Sequence, residues 1–352
     1  MKKENAAPFY WGILHGVNDW VAGYLLARYT IHASSHESFF ALCIYAILAF
    51  GGQLPVGIWL DKNRDIKSFG IVSVFLLLLA CILSFINPMI AIIMAGIASA
   101  GVHVVGGCVC LMVNKEKITP LGIFTAPGIA GLTIGGFLGA ININWIMLPF
   151  SIALLCLILI VRNGFPVYLL SKRKDDTIID KHDMIMILLL LFMCFRSLLF
   201  DLLNNFSQNM EYGILVVGMS AFIGKIIGGV LADRIGWKRW VYISLSIAII
   251  TLQFGHDNIF EMAVGIACLQ SSVPITLQLL YSCLPRFPAS ASALSLGTVV
   301  ALAGIPLYQS DYLQNTFVSS KSAYLIMVTV VLVIIYVIFI AFIKKLKMAR
   351  NI

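Results

Sequence analysis

The sequence contains few charged residues. Only 11% of its 352 residues are Asp, Glu, Lys or Arg, whereas 60% are hydrophobic and the mean hydropathy is +0.97. A soluble globular domain carries about 25% charged residues. Because apolar blocks recur along the whole chain, the composition excludes a soluble enzyme with one anchor and predicts an all-α polytopic membrane protein, with the lipid bilayer as its main partner.

Several catalytic signatures are also absent. The sequence has no HExxH zinc motif, no GxSxG nucleophile motif and no GxxxxGK[ST] phosphate-binding loop. We therefore expect neither an enzyme nor an ATP-driven pump, and we expect no cofactor and no resident metal. The net charge of +8 is spread over short clusters without interleaved aromatic residues, which argues against a nucleic-acid partner.

Paired cysteines and a signal-peptide cleavage site are missing as well. The 8 cysteines form no CxxC pair and lie within apolar blocks, so we expect reduced thiols that pack as small apolar side chains. The first apolar block is long and is followed by further spans, so we expect it to be retained as a signal anchor.

Long apolar runs are abundant, and they divide the chain into twelve predicted transmembrane helices when about 20 residues are allowed for each crossing. Residues 164–183 form the longest polar connection and lie at the centre of the chain. They predict a cytoplasmic linker between two pseudo-symmetric six-helix halves, residues 1–163 and 184–352. The predicted spans are 8–27, 38–57, 68–86, 88–113, 117–140, 143–162, 184–203, 211–231, 240–255, 258–283, 287–308 and 322–343.

The basic residues are distributed very unevenly between the two sides of this arrangement. All but four of the 24 lysines and arginines fall in the termini and in the loops of one side. The exceptions are Arg28 and Lys321 on the other side and Arg196 and Lys225 inside spans. By the positive-inside rule, both termini and the linker are predicted to be cytoplasmic, in a protein of the cell membrane.

Two short segments repeat each other about half the chain apart. The first, "GIWLDKNRDIK", follows the second span, and the other, "GVLADRIGWKR", follows the eighth. The second copy resembles the cytoplasmic loop signature of the major facilitator superfamily. Its matching residues are Gly229, Asp233, Arg234, Gly236, Lys238 and Arg239. The resemblance implies the major facilitator fold, transport by alternating access and a monomeric protein.

The repeated segments also predict a conformational latch. A carboxylate at a helix end, flanked by basic residues, can hold neighbouring helix ends together through charge-assisted contacts that break when the halves move. We expect Asp233 and Arg234 to be the main members. Asp61 and Lys62 are expected to contribute less, because the first copy lacks the second glycine. The alternative is that these charges only retain the loops in the cytoplasm.

Ionisable residues inside the spans are the candidates for transport chemistry, since they are expensive in a membrane. His15, Asn18 and Asp19 in "HGVND" share one helix face, and Asp19 lies roughly 16 Å from the start of the first span. The resemblance implies that helices 1, 4 and 7 line a central cavity bordered by helix 8. We therefore expect these side chains to converge with His103, Arg196 and Lys225 in one polar patch, with Asp19 pairing with Arg196.

This patch predicts proton-coupled transport. A proton taken up by Asp19, with His15 as a relay, would release Arg196 to bind a polar or anionic group of a small organic solute. The alternative for His15 and Asp19 is a hydrogen-bonded packing role. The glycine-rich helix 5, "GIFTAPGIAGLTIGGFLGA", resembles the corresponding helix of superfamily antiporters, although Pro127 precedes Gly128. That resemblance favours export.

A narrower resemblance points the same way. "HGVND" together with "GIASAGVHVVGG" is similar to the branch that contains fosmidomycin-resistance exporters, although Val104 and Val105 replace the proline and acid found there. Two other functions stay open. His15, Asp19 and His103, with Cys108 and Cys194 nearby, could serve a divalent metal transporter, which the charges of Arg196 and Lys225 disfavour. A non-transporting receptor on the same fold is the other.

Overall fold

The computed structural model describes residues 6–113, 116–165, 182–208, 210, 212–308 and 320–350, and these residues form helices and short connections without a strand. Most of the predicted linker lies outside them. A helix occurs at each predicted span. We number the helices α1 (Ala7–His32), α2 (Ser35–Asn63), α3 (Ile66–Leu83), α4 (Pro88–Val113), α5 (Thr119–Ala140), α6 (Met147–Asn163), α7 (His182–Ser207), α8 (Gly213–Leu231), α9 (Trp237–Leu252), α10 (Ile259–Cys283), α11 (288–308) and α12 (Lys321–Arg350).

Length and hydropathy agree with a membrane protein. In the described part of the chain, eight helical segments are long and apolar enough to cross a bilayer, one of them comprising α8 and α9 together. A short π-helical segment joins α8 to α9 and ends at Gly236, whose φ of 90° turns the chain. Glycine adopts this angle without the steric cost of a Cβ.

Two apolar cores organise the bundle. One is built mainly from α1 to α6, with Trp11 and Phe124 among its fully buried side chains, and the other mainly from α7 to α12. We call these sets the N-terminal and C-terminal groups. Large apolar side chains elsewhere, such as Phe85 and Ile326, are well exposed on the outside of the bundle. An apolar exterior is expected where lipid is the solvent.

Polar contacts join the connections at the end where Arg28 and Lys321 lie. Arg28 donates to Tyr24 within α1, and Tyr24 Oη donates to Asn144 Oδ1 in the α5–α6 connection at 3.3 Å. Lys321 at the start of α12 donates to Asp257 in the α9–α10 connection and, with His256, holds the pKa of Asp257 below its usual value. The opposite end carries most of the basic residues, and we call it the basic end.

Glycines allow α1 and α5 to pack with their backbones in contact. A Cβ at Gly131 would lie 1.8 Å from Gly16 O, and one at Gly135 would lie 2.1 Å from Trp20 O. No side chain fits at such distances, so these positions require glycine. The glycine-rich run of α5 therefore packs against α1 in the same group.

We predict that Gly131→Ala destabilises the protein by about 1–3 kcal/mol, because the added methyl group must push α1 and α5 apart. Gly136→Ala on the same helix is the matched control, since a Cβ there meets nothing within 4 Å. The control should be neutral or stabilising by up to about 1 kcal/mol. Thermal unfolding of both variants in the same lipid measures the difference, and equal midpoints would contradict the prediction.

Candidate functional site

Three polar side chains meet inside the N-terminal group. The Nε2 atoms of His15 on α1 and His103 on α4 lie 3.0 Å apart. Oδ2 of Asp19 lies 3.2 Å from His15 Nε2, and Oδ1 lies 3.7 Å from His103 Nε2. The histidines are 4% and 5% exposed, whereas the Asp19 side chain is 15% exposed. We call these residues the histidine–aspartate cluster, and it reaches solvent on the Asp19 side.

Backbone carbonyls determine which nitrogens of the cluster carry hydrogen. His15 Nδ1 lies 2.9 Å from Phe124 O, and His103 Nδ1 lies 2.8 Å from Ser99 O. A carbonyl oxygen only accepts, so we assign a hydrogen to each Nδ1. In a neutral imidazole the Nε2 atom is then an acceptor. Both Nε2 lone pairs therefore face each other and the carboxylate, an arrangement that a bound cation would stabilise.

Side chains around the cluster orient its members. Asn18 donates to Asp19 Oδ1 at 2.9 Å and to Ser99 Oγ at 3.1 Å. Ser99 is fully buried, so the two residues link α1 to the His103 helix. Ser99 was not predicted to belong to the site, although its spacing of four residues from His103 places both on one helix face.

The wall of the cluster on the α5 side has room because of a glycine. A Cβ at Gly128 would lie 2.3 Å from His15 Nε2 and 2.7 Å from Asp19 Oδ2. Pro127, inside α5, lacks an N–H and interrupts the hydrogen-bond ladder at this level. Pro127 and Gly128 thus both shape the site. Their order, proline before glycine, is the reverse of the glycine–proline order expected for the antiporter motif.

Two hydrogen bonds from the C-terminal group reach the surroundings of the cluster. Lys225 Nζ on α8 donates to Thr125 O at 3.4 Å, next to the carbonyl that binds His15. Ser292 Oγ on α11 donates to His103 O at 3.1 Å. Lys225 therefore lies beside the predicted patch, and Ser292 joins it without having been predicted.

The predicted pairing of Asp19 with Arg196 is wrong. Arg196 on α7 donates through Nη1 to Thr276 Oγ1 at 2.9 Å and, more weakly, to Ser272 Oγ at 3.5 Å. The helix α10 is interrupted by a turn just before Pro274, with Ser272 in this turn and Thr276 shortly after it. The polar residues therefore form two sites, because Asp19 is held by α1 and α4 whereas Arg196 is held by α10.

At the basic end, the two repeated aspartates join the groups in the same way. Asp233 accepts from the N–H groups of Ile118 and Thr119, at 2.8 and 2.9 Å, at the start of α5. Asp61 accepts from the N–H groups at positions 289 and 290, at 3.0 and 2.8 Å, at the start of α11. A carboxylate at a helix N-terminus satisfies free N–H groups and complements the helix dipole.

The latch differs from its prediction in two respects. Asp61 makes as many backbone contacts as Asp233, so the expected weakness of the first copy is not seen. Arg234 is exposed and forms no ion pair within the described residues, so a carboxylate on backbone N–H groups replaces the expected charge pair. In the first copy Arg64 adopts a φ of 60° where the second has Gly236.

The remaining predicted latch residues have simpler roles. A Cβ at Gly229 would lie 3.1 Å from the Cα of Thr119, so this glycine allows α8 to approach α5. Lys238 lies over the ring of Trp237 at 5.5 Å, and Lys62 and Arg239 are exposed. At this end it is therefore Asp61 and Asp233, and not these basic side chains, that bind across the two groups.

The cation held by the cluster could be a proton or a metal ion. The ligand atoms of His15, Asp19 and His103 all lie within 4.8 Å of one another. Each Nδ1 is bound to a carbonyl, which is how metal-binding histidines are commonly oriented. Within the described residues, the group contains neither Cys108 nor Cys194.

Comparison with known proteins places these features in a family context. Residues 11–256 match the family model described as Major Facilitator Superfamily. No curated protein sequence matches the chain significantly. Similar solved structures include the E. coli fucose:proton symporter FucP (TM-score 0.68, 12% identity, 97% of each chain covered). The bacterial homologue of the iron transporter ferroportin, in its outward-facing state, gives a TM-score of 0.58 at 14% identity over 98% of this chain and 99% of the other.

A human protein has a comparable fold. The organic anion transporter MFSD10 gives a TM-score of 0.62 at 13% identity, with 97% of this chain and 100% of the other covered. At these identities the likeness shows the fold alone. The cargoes in these names differ widely, so the fold does not select one.

We predict that removal of either latch carboxylate exposes the helix start that it covers. Asp233→Ala should increase amide hydrogen exchange at residues 118 and 119 about tenfold or more, and Asp61→Ala should do the same at 289 and 290, because hydrogen bonds to a charged group are lost. Exchange measured by mass spectrometry resolves the two regions.

The matched control for both variants is Asp65→Ala. Asp65 accepts from Ser68 N within its own helix start, so its loss should leave both inter-group regions unchanged. Unaltered exchange at 118–119 and 289–290 in the two latch variants would show that the carboxylates do not hold the groups together.

Proposed function

The chain belongs to the Major Facilitator Superfamily, whose model matches more than half of it at residues 11–256, and from this premise we propose that it is a proton-coupled secondary active transporter. Its proposed cargo is a small polar or anionic organic solute, exported across the cell membrane by alternating access. The protein is a multi-pass membrane transporter and not an enzyme.

The histidine–aspartate cluster carries the proposal of proton coupling. With both Nδ1 hydrogens directed at carbonyls, the two Nε2 atoms can share one added proton across 3.0 Å, beside a carboxylate that balances its charge. Without the proton, three acceptors oppose each other in a buried site. Uptake and release of one proton therefore change the local energy strongly, as a coupling site requires.

The contacts of the C-terminal group connect this proton to movement. The bond from Ser292 ends on the backbone of His103, and the bond from Lys225 ends one residue from the carbonyl that holds His15. If the basic end is cytoplasmic, as its charges predict, the two aspartate contacts hold the cytoplasmic side closed. A proton bound at the cluster and the closed basic end are then parts of one conformation.

Divalent metal transport is the second candidate, favoured by the three ligand atoms within 4.8 Å. The charge of the surroundings opposes it. A proton and Asp19 together are neutral, whereas a divalent ion leaves one positive charge, and the cation Lys225 binds the carbonyl next to the one that holds His15.

We predict that Asp19→Asn abolishes proton movement, because the neutral amide cannot balance a proton on the imidazoles. Purified protein in proteoliposomes with an internal pH dye would be given small organic anions, phosphonates and divalent metals in turn. Wild type should show substrate-dependent pH changes, and Asp19→Asn should reduce them at least tenfold. His103→Gln should also reduce them, since it removes one proton acceptor.

Asp257→Asn is the control, because this carboxylate lies at the other end of the bundle and binds Lys321. Its proton movement should equal that of wild type, and matching unfolding temperatures would exclude misfolding. If Asp19→Asn transports solute and protons normally, Asp19 is a packing residue. Metal-dependent current without proton movement would support the second candidate instead.

A further inference from the structure

Arg196 is a buried cation without an anion beside it. The residue is 3% exposed, and its Nε atom is buried and has no hydrogen-bond partner. Among the described residues no carboxylate lies within 4.0 Å of the guanidinium, since the ion pairs of Asp19 are with the two histidines. A buried charge with no counter-charge is strongly destabilising.

The observed partners of Arg196 do not supply this charge. Thr276 and Ser272 offer hydroxyl oxygens, and each of these hydroxyls gives its own hydrogen to a backbone carbonyl, of Val273 and Leu269 respectively. They therefore present lone pairs to Arg196 but remain neutral. Hydrogen bonds of this kind orient a guanidinium without balancing it.

A structural tie between α7 and α10 is the simplest alternative for Arg196. It would explain the bond to Thr276, but a neutral donor would make the same bond without the cost of a buried charge. Asp19, the acid that was expected to pair with Arg196, is held by the two histidines and does not supply the missing charge.

We infer that Arg196, oriented by Ser272 and Thr276, binds the anionic group of the transported solute, a carboxylate or phosphonate. This inference rests on the proposed function and deepens it, because it assigns the cargo to organic anions and places their charge in the C-terminal group. The proton site lies in the N-terminal group. Solute and proton consequently bind to different groups and do not compete for Asp19.

The test uses the full-length protein in lipid nanodiscs, with thermal unfolding followed by tryptophan fluorescence and no ion gradient. The probes are acetate, methylphosphonate and inorganic phosphate at constant ionic strength, with neutral acetamide as the reference. The variants are Arg196→Met on α7 and, as the matched control, Arg28→Met near the C-terminal end of α1.

Wild type and Arg28→Met should unfold at higher temperature with at least one of the anions than with acetamide. Arg196→Met alone should raise the unfolding temperature by about 2–4 °C, because an uncompensated charge is removed, and it should lose the response to anions. Asp19→Asn should keep the response. This last variant separates failure of proton coupling from failure of the anion site.

Three outcomes would overturn the inference. A lower unfolding temperature for Arg196→Met would make the residue a structural tie. An equal anion response in Arg196→Met and wild type would place the anion elsewhere. The absence of any anion response in wild type, relative to acetamide, would show that the buried guanidinium does not bind these groups.

Discussion

Two imidazole nitrogens and a carboxylate approach one another in the interior of this protein, and none of the three carries a hydrogen of its own once the Nδ1 atoms are bound to carbonyls. Such an arrangement is unfavourable in a buried site unless a cation joins it. In the proposed function that cation is a proton, and its uptake and release would change the energy of the contacts between α1 and α4.

The close packing around the cluster depends on glycines, which have no side chain. Glycines in α1 and α5 bring the two backbones together, and Gly128 leaves the space that His15 and Asp19 occupy. This close approach places a carbonyl of α5 opposite His15, and that carbonyl in turn determines the tautomer. The packing of α5 against α1 thus also determines the position and the tautomer of His15.

The two groups are joined where polar atoms meet helix ends. Asp61 and Asp233 bind N–H groups that a helix cannot satisfy itself, and both contacts can be exchanged for water without breaking a covalent or apolar core. Contacts of this strength suit an interface that opens and closes. The apolar cores of the two groups, by comparison, are extensive and suit rigid units.

The sequence was sufficient to predict the helical membrane architecture, because hydropathy and the distribution of basic residues depend on the bilayer and not on particular contacts. It also identified His15, Asp19 and His103, since ionisable residues inside apolar spans are costly enough to be conspicuous. It could not assign partners. The helices expected to line one cavity suggested that Asp19 pairs with Arg196, but many side chains lie at a similar depth in the membrane.

The folded arrangement was needed to see that the histidines hold Asp19 and that α10 holds Arg196, because these pairings depend on how the helices are rotated about their axes. The rotation of α1 and α5 follows from the contact of Gly131 and Gly135 with the backbone of α1, and that of α10 follows from the turn before Pro274. The structure likewise showed that Asp61 makes as many backbone contacts as Asp233, since a carboxylate at a helix start needs only free N–H groups and not the flanking basic residues that the motif contains.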